Sequence, residues 1–204
     1  MKLFYAPGAC SIGIHVLLEE IGKPYDGVAV NLREGGQFKP EFTSLNPKSK
    51  VPAVVDDAGT VRTEFPAIAY WLARTNPFAN LLPDDIDQQA RVLELMDYCV
   101  ATIHMQGFAR IFRSSNFTPT AGDEAAVKAR GTEIAEKGFA TLDKALAGKD
   151  YAVGKFSIAD SALFYVEFWA KRVGIALPAN VAAHLERMLA RPAVQRTLTA
   201  EGLA

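Results

Sequence analysis

The chain of 204 residues holds only two cysteines, Cys10 and Cys99, and three histidines, and none of the five falls at a metal-ligand spacing. So few cysteines exclude a disulfide-stapled scaffold. The N-terminus turns polar and Pro/Gly-rich too soon for a secretory signal, so the expected compartment is a reducing cytoplasm. No run of like charge occurs. With 22 basic against 23 acidic residues and no basic stripe, binding to nucleic acid is not expected. The apolar runs are too short to span a bilayer. Gly-rich phosphate loops, internal repeats and low-complexity segments are also missing. What remains is a chain half of whose residues are hydrophobic, enough for one large core or two modest ones.

The first 76 residues read as alternating strands and helices. Leu3-Phe4-Tyr5 is a short apolar strand broken by Pro7-Gly8, and Ile14, Leu17, Leu18 and Ile21 mark one face of a helix stopped by Gly22 and Pro24. A β-rich run from Tyr25 to Leu32 follows, so the opening is a parallel βαβ crossover. Phe38 to Leu45 suits a short irregular helix. Pro52 to Asp56 and Val61 to Thr63 form a hairpin around Asp57-Ala58-Gly59, and a helix with Pro66 in its first turn completes the order βαβαββα. Residues 81–87 read as a linker between a first domain (1–80) and an all-helical second domain (88–204). In that second part Val92, Leu95, Met96, Cys99 and Ile103 line one face of a long helix, which makes Cys99 a core residue. Further helices run from about Glu124 to Ala147, after Ser157, and from about Val181 to Ala190.

Three segments carry chemistry. Cys10 lies between a strand-breaking Pro-Gly and a first helical turn, where unpaired N–H groups and the helix dipole favour a thiolate. Gly13 stands where a Cys-x-x-Cys motif has its second thiol, so Cys10 has no internal resolving partner. Ser11 keeps a hydroxyl at the same helix end and competes with Cys10 as an activator of a ligand thiol. The second segment, Asn46 to Pro52, brings a Val51-Pro52 bond into a buried strand, as a cis peptide that turns backbone groups toward a ligand or as an edge-strand proline. The third, Thr63 to Ile68, opens a helix whose backbone N–H suits a carboxylate and whose Glu64 suits an ammonium. His15 and His184 show no clustering with other candidate ligands. Phe108, Phe112, Phe117, Phe164 and Trp169 read as core, with Phe108 and Phe112 also suited to an apolar substrate pocket.

At this spacing the segments resemble cytosolic glutathione transferases, and most of all the bacterial beta class, whose N-terminal Phe-Tyr-x-Pro-Gly-Ala-Cys-Ser stretch reads here Phe4-Tyr5-Ala6-Pro7-Gly8-Ala9-Cys10-Ser11. The similarity extends over the whole chain, through Asn46-Pro47, Pro52-Ala53, the helix-capping signature Phe156-Ser157-Ile158-Ala159-Asp160, and Arg191 to Gln195. It implies a glutathione transferase fold: an α/β N-terminal thioredoxin-like domain that binds glutathione, plus an all-α C-terminal helical bundle domain beside which a small apolar electrophile reacts. By that match Cys10 and His104 flank the glutathione sulfur. Val51, before Pro52, pairs its backbone with the cysteinyl part, Glu64 and the Phe65 N–H hold the γ-glutamyl end, and Asp97 is a further polar contact. Arg33, Lys39 and Lys50 stand as alternatives for the glycyl carboxylate. Helical spacing also puts Asp97, Ala101, His104 and Phe108 on one face. The resemblance implies glutathione as co-substrate with no tightly bound cofactor, no metal, and a homodimer. Thiol transfer or peroxidase chemistry through a Cys10–glutathione disulfide, and a non-catalytic binding role, are the alternatives. Relative to the family pattern, Phe65 replaces a usual Ser or Gly, the loop from Arg33 to Lys39 is shorter, and one residue is inserted between His104 and Gly107.

Overall fold

In the computed structural model, which describes all 204 residues, the βαβαββα order of the first part is observed. Strand β1 (Lys2–Tyr5) leads through α1 (Ser11–Ile21) to β2 (Asp26–Ala29). Two 3-10 turns and α2 (Pro40–Thr43) precede β3 (Ala53–Val55), β4 (Val61–Thr63) and α3 (Phe65–Thr75). The sheet order is β2-β1-β3-β4, with β1 parallel to β2 and antiparallel to β3. Asp56 shapes the β3–β4 hairpin by accepting from the Ala58 and Thr60 N–H groups at 3.0 and 2.9 Å. Helix α1 ends where Gly22, with φ +70°, returns its N–H to the Leu18 carbonyl, a left-handed cap open to glycine.

The second part is helical, as expected: α4 (Ile86–Asp97), a π-helical segment (Tyr98–Phe108), α5 (Ala109–Phe112), α6 (Glu124–Leu146), α7 (Ile158–Val173), α8 (Ala179–Leu189) and α9 (Pro192–Ala200). The chain divides into two compact units, Met1–Pro83 with Met188–Ala204, and Asp84–Arg187. Sequence patterning puts residues 188–204 with the helical domain; in the structure they group with the α/β unit. The cause is specific bonding. Helix α9 packs on α1, Arg191 Nε donates to Glu20 and Arg196 Nε to Glu19, at 2.7 and 2.6 Å, and Glu201 reaches the loop before Cys10. This explains why nearly every residue of α1 is buried, far more than the single face its periodicity marks.

Within the helical unit the π-helical segment lies against α6 at backbone distance. A Cβ on Gly131 would come 2.7 Å from the Gly107 carbonyl oxygen, and one on Gly138 would come 2.5 Å from the Ile103 side chain. Both glycines are therefore required by contact rather than by backbone conformation. Gly131→Val is expected to lower stability by about 2–3 kcal/mol through overpacking against backbone that has no room to move, measurable by chemical denaturation.

The face of α6 that is buried holds Ala135, Phe139, Leu142 and Leu146, while Ile134 is only half-buried. No helix is long and apolar enough to cross a membrane.

Candidate glutathione site and a π-helical histidine

The segment Pro7–Cys10 turns directly into α1. The Ala9 and Ile12 N–H groups donate to Ala6 and Ala9 carbonyls at 2.9 and 3.0 Å, and Cys10 already has helical dihedrals. Ser11 closes this turn: its Oγ accepts from the Ala6 N–H at 3.1 Å and donates to the Ala6 carbonyl at 3.3 Å. Fully buried and bonded both ways, that hydroxyl has a structural task, which explains the serine without a role toward a ligand thiol. From the other side the loop is held by Glu201, which accepts from the Gly8 N–H at 2.7 Å and from His15 Nδ1–H at 2.8 Å. Sequence inspection missed Glu201 because nothing local marks a carboxylate that acts 193 residues from its partner.

Cys10 is half-buried, and its thiol donates to the Val51 carbonyl at 3.5 Å. Burial pushes the thiol up to about 12. The N–H groups of Cys10 and Ser11 and the charge of Lys50 pull the other way, while Glu64 adds to the rise. Desolvation thus opposes the thiolate that helix position alone favours. In the free protein, iodoacetamide is expected to label Cys10 more slowly at pH 7.5 than it labels free glutathione, with the rate rising up to pH 11. Cys99 is buried and its thiol is also pushed up by burial, so mass spectrometry should find it unmodified under the same conditions.

The Val51-Pro52 peptide is cis, one of the two readings its sequence allows. Asn46, almost wholly buried, organises the approach to it. Its Nδ2 donates to the Lys50 carbonyl at 2.7 Å and its Oδ1 accepts from the Lys48 N–H at 3.2 Å. Beyond β4, Glu64 has φ +70°, a left-handed conformation uncommon for a residue with a side chain and characteristic of functional positions. Its carboxylate takes a bond from Lys48 Nζ at 2.7 Å, and the same ammonium reaches Thr63 Oγ1 at 2.9 Å. Lys48 is a neighbour of the site that sequence spacing did not single out. Arg33 lies exposed in a 3-10 turn and Lys39 just before α2, whereas Lys50 is the cation whose charge is felt at Cys10.

Cys10, Val51, Pro52, Glu64, Phe65 and Lys50 all belong to the first compact unit; Asp97 and His104 belong to the second. The single-face expectation assumed a regular α-helix, whereas Tyr98–Phe108 is π-helical. Hydrogen bonds that skip five residues add residues to each turn, so each residue advances less than the roughly 100° of an α-helix. Asp97 and Ala101 are exposed, His104 is half-buried and Phe108 is wholly buried. The His104 ring lies edge-on to Trp169 and Tyr165, with centroids 4.7 and 5.6 Å away and Nδ1 3.3 Å from the Tyr165 hydroxyl. Phe108 and Phe112 stack at 5.6 Å and both meet Trp169, and Phe112 stays largely exposed.

The helical unit also holds a buried cluster that sequence inspection did not find. His184 Nδ1 lies 2.9 Å from both Glu167 oxygens and its Nε2 lies 3.1 Å from Asp160 Oδ1. Asp160 closes the expected capping box with Ser157 at the start of α7. A glutamate inside the apolar run Phe164–Trp169 was the available sign of a buried partner.

Family models match at both ends of the chain: glutathione S-transferase, N-terminal domain, over residues 8–75, and glutathione S-transferase, C-terminal domain, over residues 125–194. Glutathione S-transferase GstA of Escherichia coli O157:H7 is 37% identical over the full length of both chains. A sphingomonad glutathione S-transferase solved in complex with glutathione is 37% identical, covers 100% of both chains and superposes with a TM-score of 0.85. The bacterial beta class glutathione S-transferase of Sphingomonas chungbukensis is 36% identical, with the same coverage and TM-score. Strand order, cis-proline, helix starts and full-length likeness therefore lead to one conclusion: the chain belongs to the glutathione S-transferase family.

Proposed function

We propose that the protein is a bacterial beta class enzyme that conjugates glutathione to small apolar electrophiles. The observation that carries this reading is the Cys10 thiol beside the Val51 carbonyl at the start of α1. A thiol held up to about 12 is a hydrogen-bond donor at neutral pH, so Cys10 serves by donating S–H to the glutathione thiolate. The thiolate lone pair then forms the S–C bond at the electrophilic carbon, and the leaving group departs with its bonding pair. Holding the thiolate beside the electrophile supplies the proximity such a reaction needs.

The tripeptide is read along its length. Val51 pairs its backbone with the cysteinyl unit. Glu64 takes the γ-glutamyl ammonium on Oε2, the oxygen that Lys48 leaves open, and the Phe65 backbone at the start of α3 meets the α-carboxylate. Lys50, whose charge is felt at Cys10, is the cation we assign to the glycyl carboxylate. The beta class resemblance adds Asp97 and His104, a homodimer and a cytoplasmic setting.

Calorimetric titration with glutathione, followed by assays on Cys10→Ala, tests the reading. Saturable binding is expected for both proteins. Conjugation of an aryl halide should persist in Cys10→Ala at a reduced rate. Exchange with a small disulfide should be slow in the wild type at pH 7, since little thiolate is present. Fast disulfide exchange that vanishes with Cys10 would favour thiol transfer instead, and a flat titration would remove glutathione from the account.

A further inference from the structure

Helix α7 carries a polar group to which the proposed reaction gives no task. Tyr165 is wholly buried, and its hydroxyl lies 3.3 Å from Nδ1 of His104. The two residues stand on different elements, α7 and the π-helical segment, which pack on each other inside the helical unit. Tyr165 and Trp169 are four apart on α7 and so share one face of that helix. Their rings meet with centroids 5.0 Å apart. Both stand nearly perpendicular to the His104 imidazole, at 82° and 86°. Two aromatic side chains thus limit how the imidazole can turn, and one polar atom addresses its Nδ1.

The chemistry of the pair decides which atom carries the proton. A buried phenol O–H that finds no acceptor bears the cost of desolvation. A bare imidazole nitrogen is a stronger acceptor than a phenol oxygen, so the favoured bond runs from the Tyr165 hydroxyl to Nδ1. A neutral imidazole has one N–H and one bare nitrogen. With Nδ1 accepting, the proton of His104 is at Nε2. Phenylalanine at position 165 would keep the ring packing and lose only this selection.

The geometry points to Tyr165 as a positioning residue: its hydroxyl sets the tautomer and orientation of His104, so that Nε2–H is the donor offered to the glutathione thiolate. The assignment rests on the reading that His104 flanks that sulfur. Tyr165 acts through the imidazole rather than on a substrate.

The test begins with nitrogen NMR on the free protein, with its three histidine rings isotopically labelled, at about pH 8, where an ordinary imidazole is neutral. The His104 signals are those missing from His104→Gln. The wild type should show a proton on Nε2 and a bare, hydrogen-bonded Nδ1. Tyr165→Phe should move the Nδ1 signal toward that of a nitrogen with no donor. In conjugation of an aryl halide the same variant should lower kcat about fivefold, the size of one lost hydrogen bond, and leave KM for glutathione within about twofold. Added to His104→Gln, Tyr165→Phe should change kcat by less than about twofold, since the ring through which it acts is gone. A proton on Nδ1 in the wild type, or an Nδ1 signal unmoved in Tyr165→Phe, overturns the assignment, and neither observation depends on glutathione. So does an equal loss of kcat from Tyr165→Phe with and without His104, the mark of a purely structural role. A His104→Gln enzyme as fast as the wild type would instead sink the reading of His104 on which the assignment rests.

Discussion

Asp160→Ala should lower the stability of the protein by about 3–5 kcal/mol, the range for breaking a buried charged network. The carboxylate is fully buried and accepts from the Ala152 and Ser157 N–H groups at 2.7 Å, from Ser157 Oγ at 3.0 Å and from His184 at 3.1 Å. Alanine leaves all of these donors without a partner in an interior that water does not reach, and α7 loses its cap as well. Urea denaturation measures the loss, and a value under about 1 kcal/mol would show that the network is dispensable.

The same cluster makes stability depend on pH. Burial alone would push His184 down, yet Glu167 and Asp160 hold it up to about 9. The folded value thus exceeds the unfolded one of about 6.5, so the folded state binds the proton more tightly. The stabilisation is complete below about pH 6.5 and declines by about 1.4 kcal/mol per unit as pH rises through 9. Glu167 is also raised, chiefly by burial, and contributes in the same direction. A urea midpoint that falls between pH 7 and 9 in the wild type, and stays nearly level in His184→Gln, is the expected result.

Glu201→Ala should have the second large effect, about 2–4 kcal/mol, since it strands a buried His15 and the Gly8 N–H together. Its consequence reaches the candidate site through the backbone. With Gly8 released, the turn that presents Cys10 loosens, so alkylation of Cys10 should quicken and glutathione affinity should fall. Glu201→Gln keeps an oxygen for one of the two donors and should sit between alanine and the wild type. Equal alkylation rates in all three proteins would show that the C-terminal segment stabilises the fold without positioning the thiol.

Where the sequence could be read, local chemistry was enough. Pro7-Gly8 ends β1 and Gly22 ends α1, the Asp57–Gly59 turn makes the hairpin, and Ser157 with Asp160 caps α7, because each signal acts over three or four residues. The readings that changed depend on contacts far apart in the chain or on a departure from regular geometry. The pairing of Asp97 with His104 assumed 3.6 residues per turn, and the π-helical segment removed that assumption. The helix-end argument for a Cys10 thiolate left out the desolvation that only a folded site imposes. Residues 188–204 look like one more amphipathic helix; their place beside α1 is set by Arg191, Arg196 and Glu201, whose partners lie more than 170 residues away.

The central claim is that Cys10 faces the sulfur of bound glutathione as a hydrogen-bond donor. A crystal structure of the protein with glutathione, grown near neutral pH, tests it most directly. The account predicts the ligand sulfur within about 4 Å of Cys10 Sγ, the usual reach of a sulfur hydrogen bond, with no bond between the two. A covalent Cys10–glutathione disulfide, or a tripeptide whose sulfur lies away from Cys10, would contradict it.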